Sequence, residues 1–165
     1  MKNVKTLYCD GGVIYSGSPG GSSIGGTWAF VATDEKDEAI FEESGFVKIE
    51  SPKGTTNNHT EFISAVYALE AMDAGWSGTL ASDSKITLGR LFEGSPTKNL
   101  PDEWVIRGRE ALLRLGVVIP KHLDGHATKA QLKVGIGKNG NPVSKWNSEC
   151  DRLCNEAKEP YAMKK

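Results

Sequence analysis

Three strand-like runs in succession, then alternating helix and strand, restrict what this chain can fold into more than any other feature. Residues 4–14 (VKTLYCDGGVI) alternate, with Thr6, Tyr8 and Asp10 on one face and Leu7 and Cys9 on the other. Residues 26–33 (GTWAFVAT) and 39–47 (AIFEESGFV) follow, and the three suggest an antiparallel meander. The intervening 16–26 (SGSPGGSSIGG) is expected to be loop, given its glycine, serine and proline. A helix is expected from Asn58 to about Ala74, where Phe62, Ala65, Val66, Leu69 and Met72 keep a 3.6-residue spacing and Gly75 is a natural stop. A short strand (78–83) and a short helix (84–92) come next. A helix over 101–116 opens on Pro101 and closes on Gly116. The strand 117–124 carries Pro120, which cannot donate to a central ladder and so predicts a sheet edge. Residues 125–142 read as a long basic glycine-rich loop, and a last helix, about 143–158, puts Trp146, Cys150, Leu153 and Ala157 on one stripe. This order predicts an α/β fold, a mixed sheet with helices packed on it. No repeat or linker divides the 165 residues, so one domain spanning 1–165 is expected, with about 158–165 as a C-terminal tail.

Composition excludes several classes. No apolar stretch approaches the ~20 residues of a membrane helix, and MKNVKTLYCDGG does not resemble a signal peptide. No membrane partner and a cytoplasmic location are therefore expected. Cys9, Cys150 and Cys154 form no CxxC pair, which argues against a disulfide framework or a zinc site. The net charge of −1 hides an asymmetry: residues 1–83 hold 5 Lys/Arg against 12 Asp/Glu, and residues 84–145 hold 11 against 5. An acidic half joined to a basic middle fits a protein that holds cations in one place and phosphates in another, and also fits ordinary solvated charge.

Four acids fall where a sheet can gather them. Asp10 lies in the first strand before Gly11-Gly12, Glu61 in the first turn of the first helix, Asp83 at the end of the fourth strand, and Asp151 beside the apolar stripe of the last helix. Each has a plain alternative. Asn58 and Glu61 have the spacing of a capping box, Asp83 can cap the next helix, Asp10 can serve a turn, and Asp151 can be an exposed helix acid. Gathered, they form an oxygen-rich site suited to Mg²⁺ or Mn²⁺. Two such ions ~3.5–4 Å apart activate water and stabilise the leaving oxygen of a phosphodiester. The glycine-rich stretch lacks the Lys-Ser/Thr of a phosphate-binding loop.

"YCDGG" (8–12), the Gly-Pro-Gly loop, "TTNNHTEF" (55–62), "ASDS" (81–84), "DGHATK" (124–129) and "WNSECDRL" (146–153) together resemble a type 1 ribonuclease H, in that family's order and over nearly the whole chain. The resemblance implies a five-stranded mixed sheet of order 3-2-1-4-5 flanked by helices. It implies an endonuclease that hydrolyses the RNA strand of RNA–DNA hybrids with two Mg²⁺ ions (Mn²⁺ as possible substitute), leaving 5′-phosphate and 3′-hydroxyl ends. Position by position, Asp10, Glu61, Asp83 and Asp151 would bind metal, and His126 would move protons or aid product release. Asn57 and Asn58 would contact the hybrid in its minor groove, where 2′-hydroxyls mark RNA. Gly11 and Gly12 would admit the RNA ribose, with Ser84 and Lys85 also on the substrate side.

Departures from the family pattern stand beside these matches. Lys85 replaces a frequent glutamine and can reach a phosphate. Asp124 stands where relatives often carry lysine, as a partner of His126 or an additional acid behind the site. The stretch from His126 to Asp151 is long, and its Lys129, Lys133, Lys138 and Lys145 suggest a phosphate track. The basic helical protrusion of some bacterial relatives is not evident, although Arg107, Arg109 and Arg114 lie nearby in sequence. With no separate hybrid-binding domain before Asp10, substrate grip is expected from this one domain, acting as a monomer. Other readings are a superfamily nuclease acting on DNA and an inactive hybrid-binding domain. His59, His122 and the four tryptophans are expected to be structural.

Overall fold

The computed structural model describes residues 3–15, 23–51 and 54–161. Most of the expected glycine-rich loop (16–22) and the end of the expected tail (162–165) lie outside the described residues. Strand β1 (Thr6–Tyr15) does not turn at its double glycine but continues through it. It thereby offers an edge to β2 (Ser23–Thr33), whose first residues pair as Gly26 with Val13, Gly25 with Ile14 and Ser23 with Tyr15. Residues 23–26 are therefore strand, not the loop their composition suggests.

Strand β3 (Ala39–Val47) pairs antiparallel with β2, completing the meander. β4 (Gly78–Ser82) and β5 (Val118–His122) add in parallel on the far side of β1, giving the order β3-β2-β1-β4-β5. Pro120 sits on an outer strand, as its missing N–H requires.

The period-2 alternation of β1 and β2 builds two cores. On one face Leu7, Cys9 and Phe30 pack with Phe62, Val66 and Leu69 of α1 (Asn57–Glu70) and with Trp104 of α3 (Asp102–Arg114). On the other, Tyr8, Ala29 and Val31 meet Cys150, Leu153 and Cys154 of α5 (Lys145–Lys158). Burying side chains such as Phe30, Phe62 and Leu7 stabilises the fold by about 1.5–3 kcal/mol each.

Helix α1 ends at Glu70, short of the expected Ala74. Carbonyls at its end and just beyond it are met by a side chain from α3: Arg114 donates from Nη2 to Leu69 O (3.3 Å) and from Nη1 to Met72 O (2.7 Å). Gly75, with φ +82°, instead donates its N–H to Arg114 O (2.9 Å) in the turn beyond. Arg107, from the same helix, lies over the Trp104 ring and forks onto Glu70, so two of the three arginines of this segment serve α1.

The expected 125–142 loop contains a short helix, α4 (Lys129–Val134), with Thr128 and Gln131 as a capping box and Gly135 in the left-handed region at φ +88°. Helix α2 (Lys85–Phe92) connects β4 toward α3. A 3₁₀ turn, Glu159–Tyr161, follows α5.

Candidate active site

β1 and β4 run parallel through the Cys9–Ser82 pair; Asp10 is the next residue of β1, and Asp83 the first after β4. Beyond that point β1 goes on with β2, while the chain after β4 turns into α2. Two carboxylates thus meet at the carboxyl end of a parallel pair, where open α/β sheets place their ligands. Asp10 is buried and accepts a hydrogen bond from Gly11 N at Oδ1 (2.9 Å).

The third acid arrives because Gly11 has no side chain. A β-carbon there would stand 2.4 Å from Thr60 C and 2.6 Å from Glu61 N, so only glycine lets α1 press its backbone against β1. Asp10, Glu61 and Asp83 then offer carboxylate oxygens all within 4.8 Å of one another. Asp151, from α5, faces the same cleft of about 450 Å³.

None of the plain alternatives for Asp10, Glu61 and Asp83 holds. The capping box of α1 is Thr56 with His59: Thr56 Oγ1 accepts from His59 N (3.3 Å), and His59 Nδ1 accepts from Thr56 N (3.1 Å). The Asn58–Glu61 box expected from spacing does not form, because the helix begins one residue earlier. The cap of α2 is Ser84, accepting from Thr87 N (3.1 Å), not Asp83. Asp10 lies within a strand, not a turn.

Burial, and then the Asp83 charge, push the Asp10 carboxyl up to about 8, against the help of the Gly11 N–H. Burial raises Glu61 to about 7, with Asp83 adding to the rise and the Ser84 side chain opposing it. Carboxyl groups so reluctant to ionise together call for a cation. An all-oxygen, partly open donor set fits Mg²⁺ or Mn²⁺.

Gly125 passes so close to Asp83 that a β-carbon would stand 2.5 Å from Oδ2. That approach brings the next residue, His126, to the cleft, exposed and at φ +52°. A non-glycine residue in the left-handed region is an uncommon conformation of the kind that clusters at functional sites.

The substrate-side candidates separate. Asn57 lines the acid cleft, whereas Asn58 faces a neighbouring cleft of about 590 Å³ that also holds Arg90 and Lys98. Gly12 lines the acid cleft; Ser84 is buried as a helix cap, and Lys85 is exposed outside the lining of that cleft. Of the lysines in the long segment, Lys138 reaches the cleft, and Lys145 lies over the Trp146 ring.

Among the described residues Asp124 makes no hydrogen bond to His126, and it stands outside the lining of the cleft, as an acid behind the site. Its Oδ2 accepts from Asn139 N (2.8 Å) and Asn141 N (3.3 Å), and its Oδ1 accepts from Asn141 Nδ2 (2.9 Å). It ties down the turn that carries Lys138.

Two residues at the site escaped the sequence argument. Asn147 is buried and donates from Nδ2 to Asp83 Oδ2 (3.2 Å), and its Oδ1 has no partner among the described residues. Lys158 lines the acid cleft from the end of α5. The signal for both was their spacing from Asp151, four before and seven after, which puts all three on one helix face.

The sheet order, the flanking helices and the acids at the split between β1 and β4 define the fold of the type 1 ribonucleases H. Solved structures agree. Ribonuclease H1 from the halophilic archaeon Halobacterium salinarum NRC-1 is 22% identical, with a TM-score of 0.63 over 94% of this chain and 97% of that one. LC11-RNase H1, solved in complex with an RNA/DNA hybrid, is 21% identical with the same TM-score of 0.63 and the same coverage. The N-terminal RNase H domain of rv2228c from Mycobacterium tuberculosis is 13% identical, with a TM-score of 0.60 over 94% of this chain and 95% of that one. No protein-family model matches the sequence, and no curated protein matches it either.

Proposed function

We propose that this protein is a divalent-metal-dependent endonuclease that hydrolyses the RNA strand of RNA–DNA hybrids, leaving 5′-phosphate and 3′-hydroxyl ends. The observation that carries the reading is the convergence of Asp10, Glu61 and Asp83 within 4.8 Å, at the split between two parallel strands, in the fold of structures one of which holds an RNA/DNA hybrid.

Asp10, Glu61, Asp83 and Asp151 would hold Mg²⁺, as two ions, with Mn²⁺ as a substitute. The chemistry such cations supply is charge neutralisation on the phosphate and a water acidic enough to attack it. Asn147 keeps the Asp83 carboxylate turned toward the cluster. His126, exposed at the mouth of the cleft, takes and returns protons as product leaves. Asn57 offers its amide to the hybrid beside the acids. Asn58 does so in the adjacent cleft, where Arg90 and Lys98 suit backbone phosphates. Among the described residues no helix is long and apolar enough to cross a membrane. The chain acts as one domain and as a monomer.

The test is incubation of purified protein with labelled RNA–DNA hybrid and Mg²⁺, beside RNA–RNA, DNA–DNA and single-stranded RNA. The expected result is cutting of RNA in the hybrid alone, abolished by EDTA and by Asp10→Asn. Cutting of DNA would reassign the chain to a DNA-directed nuclease. Tight hybrid binding without cutting would make it an inactive binder.

A further inference from the structure

We infer that Lys158 is a substrate-positioning residue that binds a backbone phosphate of the nucleic acid beside the acid cluster, and that Gly12 is glycine in order to seat it. The inference rests on the nuclease reading for the identity of the substrate. Lys158 is the last residue of α5, two turns beyond Asp151, so both side chains point into the same cleft. Its chain lies across β1. A β-carbon at Gly12 would stand 2.8 Å from Lys158 Cε and 2.9 Å from Nζ. Where Gly11 makes room for α1, Gly12 makes room for this lysine.

Among the described residues no anion holds the ammonium. Lys158 is half-buried, and no ion pair among the described residues includes it, although Asp10 and Asp151 line the same cleft. A lysine serving as counter-charge to the carboxylates would approach one of them within salt-bridge distance. A partly desolvated ammonium without a partner is costly unless an anion completes it. The anion that a carboxylate cleft itself does not supply, and that a nucleic acid brings, is a phosphate. Lys138 reaches the same cleft from the turn tied down by Asp124, so cations from two separate elements face the path of the substrate beside the acids.

The test measures hybrid affinity across a series of KCl concentrations in EDTA, where cutting does not compete, and steady-state kinetics in Mg²⁺. K158Q is expected to weaken binding by about three- to tenfold and to reduce the slope of log K against log salt by about 0.7–0.9, the share of one phosphate contact. KM rises to match while kcat stays within about twofold, since the contact is made equally before and during reaction. G12A, whose β-carbon would stand 2.8 Å from Lys158 Cε and 3.3 Å from Thr27 Oγ1, is expected to reduce the salt slope by the same amount as K158Q. The double variant should be no worse than either alone.

An unchanged salt slope in K158Q, or full additivity with G12A, would overturn the inference. So would an unchanged slope with tighter Mn²⁺ binding, which marks a counter-charge to the acids. Failure of the nuclease reading shows differently: the wild type then binds hybrid without cutting it, and the slope comparison still answers for Lys158. A wild type that binds no nucleic acid ends both.

Discussion

At the residue scale the acid cluster makes its own pH dependence. A carboxyl raised on folding leaves the folded state relatively favoured at low pH, and that advantage is lost as pH climbs from the unfolded value, near 4, through the folded one. For Asp10 the window runs up to about 8. Asp10→Asn, which cannot ionise, should therefore abolish hydrolysis while raising the melting temperature of the cation-free protein at pH 8. The gain should vanish below pH 4; thermal melts in EDTA across pH check both ends. Gly11→Ala should have the opposite character. Its β-carbon meets backbone atoms of Thr60 and Glu61 that cannot swing aside, and overpacking of this kind costs about 1–3 kcal/mol. A lowered melting temperature together with weakened Mn²⁺ binding would show that α1 has been pushed off β1; either change without the other would contradict that account.

At the scale of elements, Arg114→Ala removes the side chain that meets carbonyls at the end of α1 and just beyond it. A loss of about 1 kcal/mol is expected, with faster amide exchange at the C-terminal turn of α1 and little change at its N-terminal turn. Asp124→Asn should loosen the 136–142 turn that carries Lys138. Hydrogen bonds from Asn141 and Asn139 hold the Asp124 carboxyl below its ordinary range. Its contribution is present above the unfolded value and lost as pH falls through the folded one, so acid should speed exchange at Asn139 and Asn141 in the wild type, and the variant should be insensitive to it. These elements also show how far the sequence could be read. The strands of the sheet, its edge at Pro120 and the acids at strand and helix termini followed from alternation and spacing, which are local. What failed was non-local: the carbonyls at and just beyond the end of α1 are met by an arginine 42 positions beyond Met72, and Ser23–Gly26 become strand because β1 continues opposite them. The cap of α1 was misplaced because His59 completes it through a ring nitrogen, a role that the usual acid or amide at this position hides. Asn147 was visible as a letter in a motif, but its hold on Asp83 needed the fold.

For the whole molecule, the central strands β1 and β2, buried on both faces, couple the two cores. Unfolding should therefore be a single cooperative transition, and cation binding at the mouth of β1 should stabilise all of it. At a cation concentration a hundredfold above Kd the gain is about 2.7 kcal/mol. Because protons compete for the same carboxylates, the upward shift in melting temperature with Mg²⁺ should be larger at pH 8 than at pH 5. An equal shift at both would mean that the cation binds elsewhere.

The three thiols, Cys9, Cys150 and Cys154, are all buried against the sheet, and burial holds each of them in its unreactive protonated form. Maleimide dyes should accordingly leave the native protein untouched. A cysteine introduced at an exposed position such as Lys85 would then be the sole attachment point, and a fluorophore there could report arrival and departure of a duplex without any background labelling to subtract.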